Sequence, residues 1–272
     1  MSPNEFLPAV WDELVVRLAL GIEPTDPLLR SRIGQPVRIA RDGVPFPAPA
    51  HLRDPRVSRW EEQTVLRRVG RGDSCRFVLR VEPGVDDPID LRIEDQSRRY
   101  VPRRLRIRLP DPIGSGRQIR PALLPGAAYG VPAGAVGVRG RIVRDGDPLR
   151  WCRVEARRVV DALLVGRAHG DEHGEFLLLL EPAASRGADL TLPVEVTVSV
   201  FGPDVAPDPD DVPNSAADPL WDLPLEEADL TAGADAVLAG LALPDGYVTR
   251  PNSVREVQVS WNGLVREQFD FS

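Results

Sequence analysis

The run His169-Gly170-Asp171-Glu172-His173-Gly174-Glu175 holds two of the chain's three histidines and three carboxylates. Two histidines four positions apart, with acids between them, bind a divalent metal when they ride on a helix, because positions i and i+4 share a face. Here two glycines interrupt the run and an apolar alternating pattern starts at Phe176. The ligands would not converge, and the run reads as a polar turn with a glycine in the left-handed region. His51 is isolated in a Pro-rich stretch. For nucleophilic catalysis there is no G-x-S-x-G elbow, and no Ser or Cys stands beside a candidate base. Gly114-Ser115-Gly116 lacks the preceding strand, the following helix and the Lys of a phosphate cradle. The carboxylate pairs Asp86-Asp87 and Glu226-Glu227 sit in turns or at a helix start, where solvation or the helix dipole accounts for them. The reading assigns no catalytic residue, no metal and no cofactor.

Other residues suit binding rather than reaction. Cys75 and Cys152 alternate in phase with apolar neighbours, as buried reduced thiols do. Trp60, Trp151, Trp221 and Trp261 either pack in cores or line a sugar- or peptide-binding face. Trp261 continues the apolar phase of its strand, whereas Trp151 is out of phase with Cys152 and Val154, which predicts an exposed indole. Candidate protein-docking residues are Trp11, Leu14 and Leu18 near the N-terminus, Trp151, and Trp261, Phe269 and Phe271 near the C-terminus.

The elements that must carry these residues follow from periodicity. Ser2, Pro3 and Glu5 form a helix-start signature, and Val10, Trp11, Leu14, Val15 and Leu18 then share one helical face. This amphipathic helix, residues 3–20, packs on a sheet of its own chain or on a neighbouring subunit. From Pro36 to Pro110 the period becomes two: Phe77, Leu79 and Val81, then Leu91 and Ile93, then Leu105, Ile107 and Leu109 face in, with Arg104, Arg106 and Arg108 facing out. A Pro/Gly-rich linker at 111–135 separates this first β domain (31–110) from a second at 136–201. In the second, Asp145-Gly146-Asp147 marks a hairpin turn; Cys152, Val154 and Ala156 face in while Arg153, Glu155 and Arg157 face out. Residues 202–253 read as an acidic, Pro-rich arm, either a solvated loop or a docking arm, followed by a short helix within 225–243. Residues 254–272 read as a hairpin turning at Asn262-Gly263, which completes a sheet or offers an edge to another chain. The expected fold is mainly β: two Ig-like or transthyretin-like sandwiches, with the helix and the hairpin at the ends.

Composition narrows the partners. The 272 residues, 42% hydrophobic and 28% charged, suit a soluble globular protein, and no apolar run reaches the length of a membrane span. Every basic residue is Arg; this reflects either genomic drift from Lys to Arg or an arginine-rich recognition surface. A formal net charge of -7 argues against nucleic acid as the main partner. The N-terminus lacks a signal-peptide pattern, so a cytoplasmic location is expected.

The stretch Arg139-Gly140-Arg141-Ile142-Val143, Asp145 to Leu149, Cys152-Arg153-Val154-Glu155-Ala156 and Asp171 to Phe176 resembles the carboxypeptidase regulatory-like (transthyretin-like, Ig-like) domain family over roughly 65 residues. That resemblance implies a seven-stranded sandwich used as an accessory or adhesive module, with no catalytic residues to transfer, and the His/Asp run as the family's turn. Ile93-Glu94-Asp95 with Arg99-Tyr100-Val101-Pro102-Arg103-Arg104-Leu105 is similar to small β modules encoded beside bacterial phage-tail-like contractile injection systems. Together these imply a non-enzymatic structural or assembly component of such a particle (cap, collar, baseplate or tail accessory subunit). Its partners would be protein subunits, with homo-oligomers possible. The other implied class is an Ig-like binding module for a surface glycan or protein.

Overall fold

A computed structural model describes residues 18–34, 37–42, 67–68, 76–80, 88–109, 118–181, 184, 192–211 and 218–272. The fold is mainly β, built as two units. In the first, strands β1 (Leu18–Ile22), β2 (Thr25–Asp26), β3 (Ser31–Arg32), β4 (Arg38–Arg41), β5 (Arg67–Arg68), β6 (Phe77–Arg80), β7 (Ile89–Glu94), β8 (Arg103–Arg108) and β9 (Gln118–Ile119) follow one another. One sheet runs β5-β6-β1-β9, and a second contains β8-β7-β4. Leu20, Ile22 and Phe77 from the first sheet and Ile39, Leu91, Ile93, Leu105 and Ile107 from the second share one buried core. The period-two pattern explains this, since alternate side chains of a strand leave on opposite faces.

After β9 come β10 (Gly137–Arg144), β11 (Asp147–Pro148), β12 (Arg153–Arg158), β13 (Leu164–His169), β14 (Glu175–Leu179) and β15 (Val194–Pro203) of the second unit, then β16 (Leu225–Asp229) and the short helix α1 (Asp235–Leu238), which pack on the first, and last β17 (Tyr247–Val248), β18 (Val254–Val259) and β19 (Leu264–Asp270) of the second. One sheet joins β11, β14 and β19 to β10; the other joins β13, β12, β15, β17 and β18. Val138, Ile142, Phe176 and Phe269 pack against Val154, Val165, Val196, Val198 and Val259 in a single core between them. The turn between β10 and β11 has Asp145 at φ 53° and Gly146 at φ 91°, the conformation that an Asp-Gly pair favours in a tight hairpin. Gly140 in β10 is required by close approach: a Cβ there would lie 2.5 Å from the Phe176 ring and 2.7 Å from the Glu267 carbonyl.

Several expectations are corrected by the pairing. Residues 1–17, with Trp11 and Leu14, lie outside the described residues, but Leu18 to Ile22 are strand rather than the end of a helix. The backbone of β1 is held on one side by β6 and on the other by β9, and Leu20 and Ile22 alternate into the core around Gly21. The expected linker is structural over its described part. Its β9 pairs in parallel with β1, and Ile119, Leu123, Leu124 and Tyr129 are buried. The expected short helix within 225–243 is present as α1 (Asp235–Leu238), but residues 225–229 before it form a strand, β16, which pairs in parallel with β8 of the first unit; Glu226 and Ala228 face inward at period two. The expected C-terminal hairpin is a turn without a hairpin. Asn262 does sit at φ 60°, yet β18 pairs with β15 in one sheet and β19 pairs with β10 in the other. Val257 and Val259 then cover the core from one side and Phe269 and Phe271 from the other, a larger apolar burial than one two-stranded ribbon could give.

The chain therefore passes from the first unit to the second, returns to the first with β16, and comes back to finish the second with β17 to β19. Asp26 fastens the first unit locally. Its Oδ2 accepts hydrogen bonds from the hydroxyls of Tyr100 and Tyr129, each at 2.8 Å, and its Oδ1 accepts from the backbone N–H of Leu28 and Leu29. Burial, with Asp26 beside them, raises the pKa of both phenols and keeps them as donors.

Candidate functional site

The His169–Glu175 run forms the polar turn expected of it. Asp171 Oδ1 accepts from the backbone N–H of His173 at 2.9 Å and of Glu175 at 3.0 Å, and Gly174 takes φ 69°. A side chain at Gly174 would also collide with the Ile142 carbonyl, so both backbone angle and space demand glycine. The two imidazoles part company. His169 ends β13 and is buried, with Nε2 donating to the Gly240 carbonyl at 3.2 Å; His173 is exposed beside Glu172. Burial, then the charges of Arg153 and Arg103, lower the His169 pKa well below its ordinary value and keep the ring neutral. Cys152, one strand over, is fully buried, and desolvation pushes its thiol up to about 12, so it is held as the unreactive thiol. Cys75 lies outside the described residues.

Trp151 is not exposed. It is 1% accessible, sits at φ 58°, and is surrounded by Val101 and Leu223 with Leu220 at the margin. The positive φ turns its side chain out of the alternation that β12 begins two residues later, so counting strand phase could not place it. Its indole Nε1 donates to Asp222 Oδ1 at 2.7 Å, and Arg150 bonds the same oxygen at 2.7 Å. Its carbonyl accepts from the Tyr247 hydroxyl at 3.0 Å and from Arg153 at 2.9 Å. Burial raises the Asp222 pKa, opposed by the Trp151 and Arg150 contacts.

Beside this tryptophan opens a cleft of about 430 Å³, within the size range of small-ligand pockets. Leu149, Trp221, Tyr247, Pro148, Pro203 and Pro207 form much of its wall. Trp221 was among the candidate aromatics. Tyr247 and Asp222 were missed, because each joins the cleft through pairing across 70 or more positions and neither stands in a local motif.

The deepest polar cluster lies between the two units. Arg103 of β8 meets Glu226 of β16 through two nitrogens, at 3.1 and 2.6 Å, and Arg153 of β12 meets the same carboxylate at 3.2 Å. Arg103 has no accessible surface; it also donates to the carbonyls of Ala122, Val237 and Leu238, the last two at the C-terminal end of α1. Arg153 was expected to face water. It does leave the sandwich on the outer face, but that face is covered by the first unit. Arg103 shares the parity of Leu105 and Ile107, so the strand pattern already pointed it inward.

The remaining docking candidates are placed as follows. Phe269 and Phe271 are buried at 0% and 1% in the second core and are not surface residues. Trp261 is half-buried, donating from Nε1 to the Leu192 carbonyl at 2.7 Å. Leu18 lies in β1 opposite Arg80. Among the described residues the candidates do not form one patch. Among the described residues no group of three or more His, Cys, Asp or Glu side chains is arranged to hold a metal, and no helix is long and apolar enough to cross a membrane.

No protein-family profile matches the chain, and no curated protein does. Among solved structures it is similar to a Streptococcal ancillary pilin, at 9% identity and a TM-score of 0.23, over 96% of this chain and 63% of that one. It thus spans less than two thirds of that pilin, and a superposition this loose decides neither fold nor function.

Proposed function

We propose that the chain is a non-enzymatic structural or assembly component of a multi-subunit bacterial particle. The particle would be of the phage-tail-like contractile injection kind, assembled in the cytoplasm, and the second unit its carboxypeptidase regulatory-like module. What supports this reading is the junction. The chain leaves the second unit to place β16 in a sheet of the first and then returns, and both sides contribute an arginine to one buried carboxylate, Glu226. Such a junction resists hinge motion, since opening it would strand buried charges. That stiffness suits a spacer or connector between subunits, and it suits poorly an enzyme that closes its domains around substrate. Of the motif that carries the resemblance, Tyr100 bonds Asp95 and Asp26 and Arg103 bonds Glu226 within this framework, while Asp95 and Tyr100 also line a small recess of about 110 Å³. The test is gradient sedimentation of tagged full-length chain expressed in its native cell. Recovery in the high-mass fraction with identified particle subunits is expected; recovery only at the top of the gradient overturns the reading.

The cleft favours a second reading, an Ig-like module that binds a glycan or protein at the sandwich end, because Trp221 and Tyr247 line an open, mostly apolar recess there. If binding is the primary role, Trp221→Ala abolishes ligand capture while leaving sedimentation with particles intact.

A further inference from the structure

Three guanidinium groups converge on Glu23, directly after β1. Arg32 and Arg76 approach Oε1 at 3.1 and 3.0 Å and Arg120 approaches Oε2 at 3.1 Å, while Gln118 donates to Oε2 at 3.2 Å. The carboxylate is 8% accessible, whereas the three arginines are 43%, 55% and 67% accessible. Hydrogen bonding from Arg76, against the cost of burial and with the charges of Arg32 and Arg120, lowers the Glu23 pKa and keeps it ionised. Each of these arginines reaches Glu23 through Nε. Each of the three side chains remains between 43% and 67% accessible, so the planar fork that grips a carboxylate in bidentate fashion is open to an incoming group. The three positive charges against one negative leave a local excess of two in a chain of net charge -7. Glu23 orders the three side chains beforehand, so an incoming anion meets forks that have already lost much of their rotamer freedom.

The complementary feature lies at the end of β15. From Asp204 to Asp210 the chain is exposed, with Val205 79% accessible and Asp208 and Asp210 bare to solvent. Its root is fixed: Arg250 bonds Asp204 at 2.7 Å, and Arg144 donates to the Pro203 carbonyl. Asp208 Oδ1 accepts a local bond from the backbone N–H of Asp210 at 2.9 Å. Pro207 and Pro209 restrict the backbone, and Pro209–Asp211 close a single 3-10 turn, so the arm presents Asp208 and Asp210 with less conformational freedom to lose on docking.

We propose that the acidic arm of one copy, through Asp208 and Asp210, docks on the Arg32–Arg76–Arg120 cluster of a second copy. The two halves of the contact belong to different units of one chain and every copy carries both, so copies join either reciprocally as a closed dimer or head to tail. A long polyanion is the poorer occupant, because the acidic chain as a whole repels it while a short carboxylate segment feels mainly the local excess. The inference rests on the assembly reading but is tested on purified chain alone, so self-association and incorporation into particles can fail separately.

Sedimentation velocity of the full chain at low ionic strength is expected to show association that grows with concentration and disappears in high salt. Arg32→Gln/Arg76→Gln/Arg120→Gln and Asp208→Asn/Asp210→Asn chains are each expected to stay monomeric with unchanged circular dichroism. Their mixture is expected to stop at dimers, joined by the one intact pair. The arm variant touches no packed residue, so it decides the matter even if the arginine variant folds poorly. A wild-type chain that stays monomeric overturns the proposal, as does association indifferent to the arm variant. Capture of a single-stranded oligonucleotide by the arginine cluster, with the chain itself monomeric, assigns the surface to nucleic acid instead and equally overturns it.

Discussion

At the scale of residues, the side chains with the richest chemistry serve as fasteners. His169 is the clearest case. It stands in a run that resembles a ligand set, yet its ring is buried, neutral and bonded to the Gly240 carbonyl. Its pKa is lowered from 6.5 by burial first and then by Arg153 and Arg103. The fold therefore favours the neutral ring, while the unfolded chain takes up a proton near the ordinary value. The stability this group contributes is complete above about pH 6.5 and is lost below it at about 1.4 kcal/mol per pH unit, until the folded-state pKa is reached. Urea unfolding at pH 7 and pH 5 should show that loss in the wild type and a shallower one in His169→Gln. Equal slopes would mean that the imidazole is not the titrating group.

At the scale of elements, the final strand is the informative one. Read as half of a hairpin, residues 264–270 could be a detachable docking edge; paired with β10 along seven positions and carrying Phe269 inward, they are part of the core. Phe269→Ala should cost about 3–5 kcal/mol, the usual range for a buried phenylalanine. Removal of 264–272 should give insoluble chain rather than a folded subunit that merely fails to dock. A soluble, cooperatively folded truncation would return β19 to the surface. The same lesson applies to β16. Its sequence LEEAD reads like a helix start by composition, and it becomes a strand because β8 offers it a free edge and Arg103 and Arg153 offer Glu226 a partner.

At the scale of the whole molecule, interleaving makes the two units one cooperative system. The first unit is finished only after the chain has crossed between them twice, and the second only after it has crossed three times. Scanning calorimetry should show one transition, and Glu226→Gln, which leaves two buried guanidinium charges without their anion, should destabilise it by about 3–5 kcal/mol without splitting it. Two resolved transitions in the wild type would show that the units fold independently and would remove the mechanical argument for a stiff connector.

The sequence by itself determined the local part of this protein: that it is mainly β, which faces of β8, β10, β12 and β15 turn inward, and that His169 to Glu175 is a turn. Each of these depends on neighbours within a few positions, where period-two alternation and glycine's freedom at positive φ act directly. Only the tertiary structure decided that Trp151 is buried, that Arg153's outer face is covered, that β18 and β19 part into opposite sheets, and that Arg32, Arg76 and Arg120 meet at Glu23. Those outcomes depend on which distant strand supplies a free edge or a counter-charge. Alternation says which side of a strand is apolar; it does not say what will come to lie against the other side.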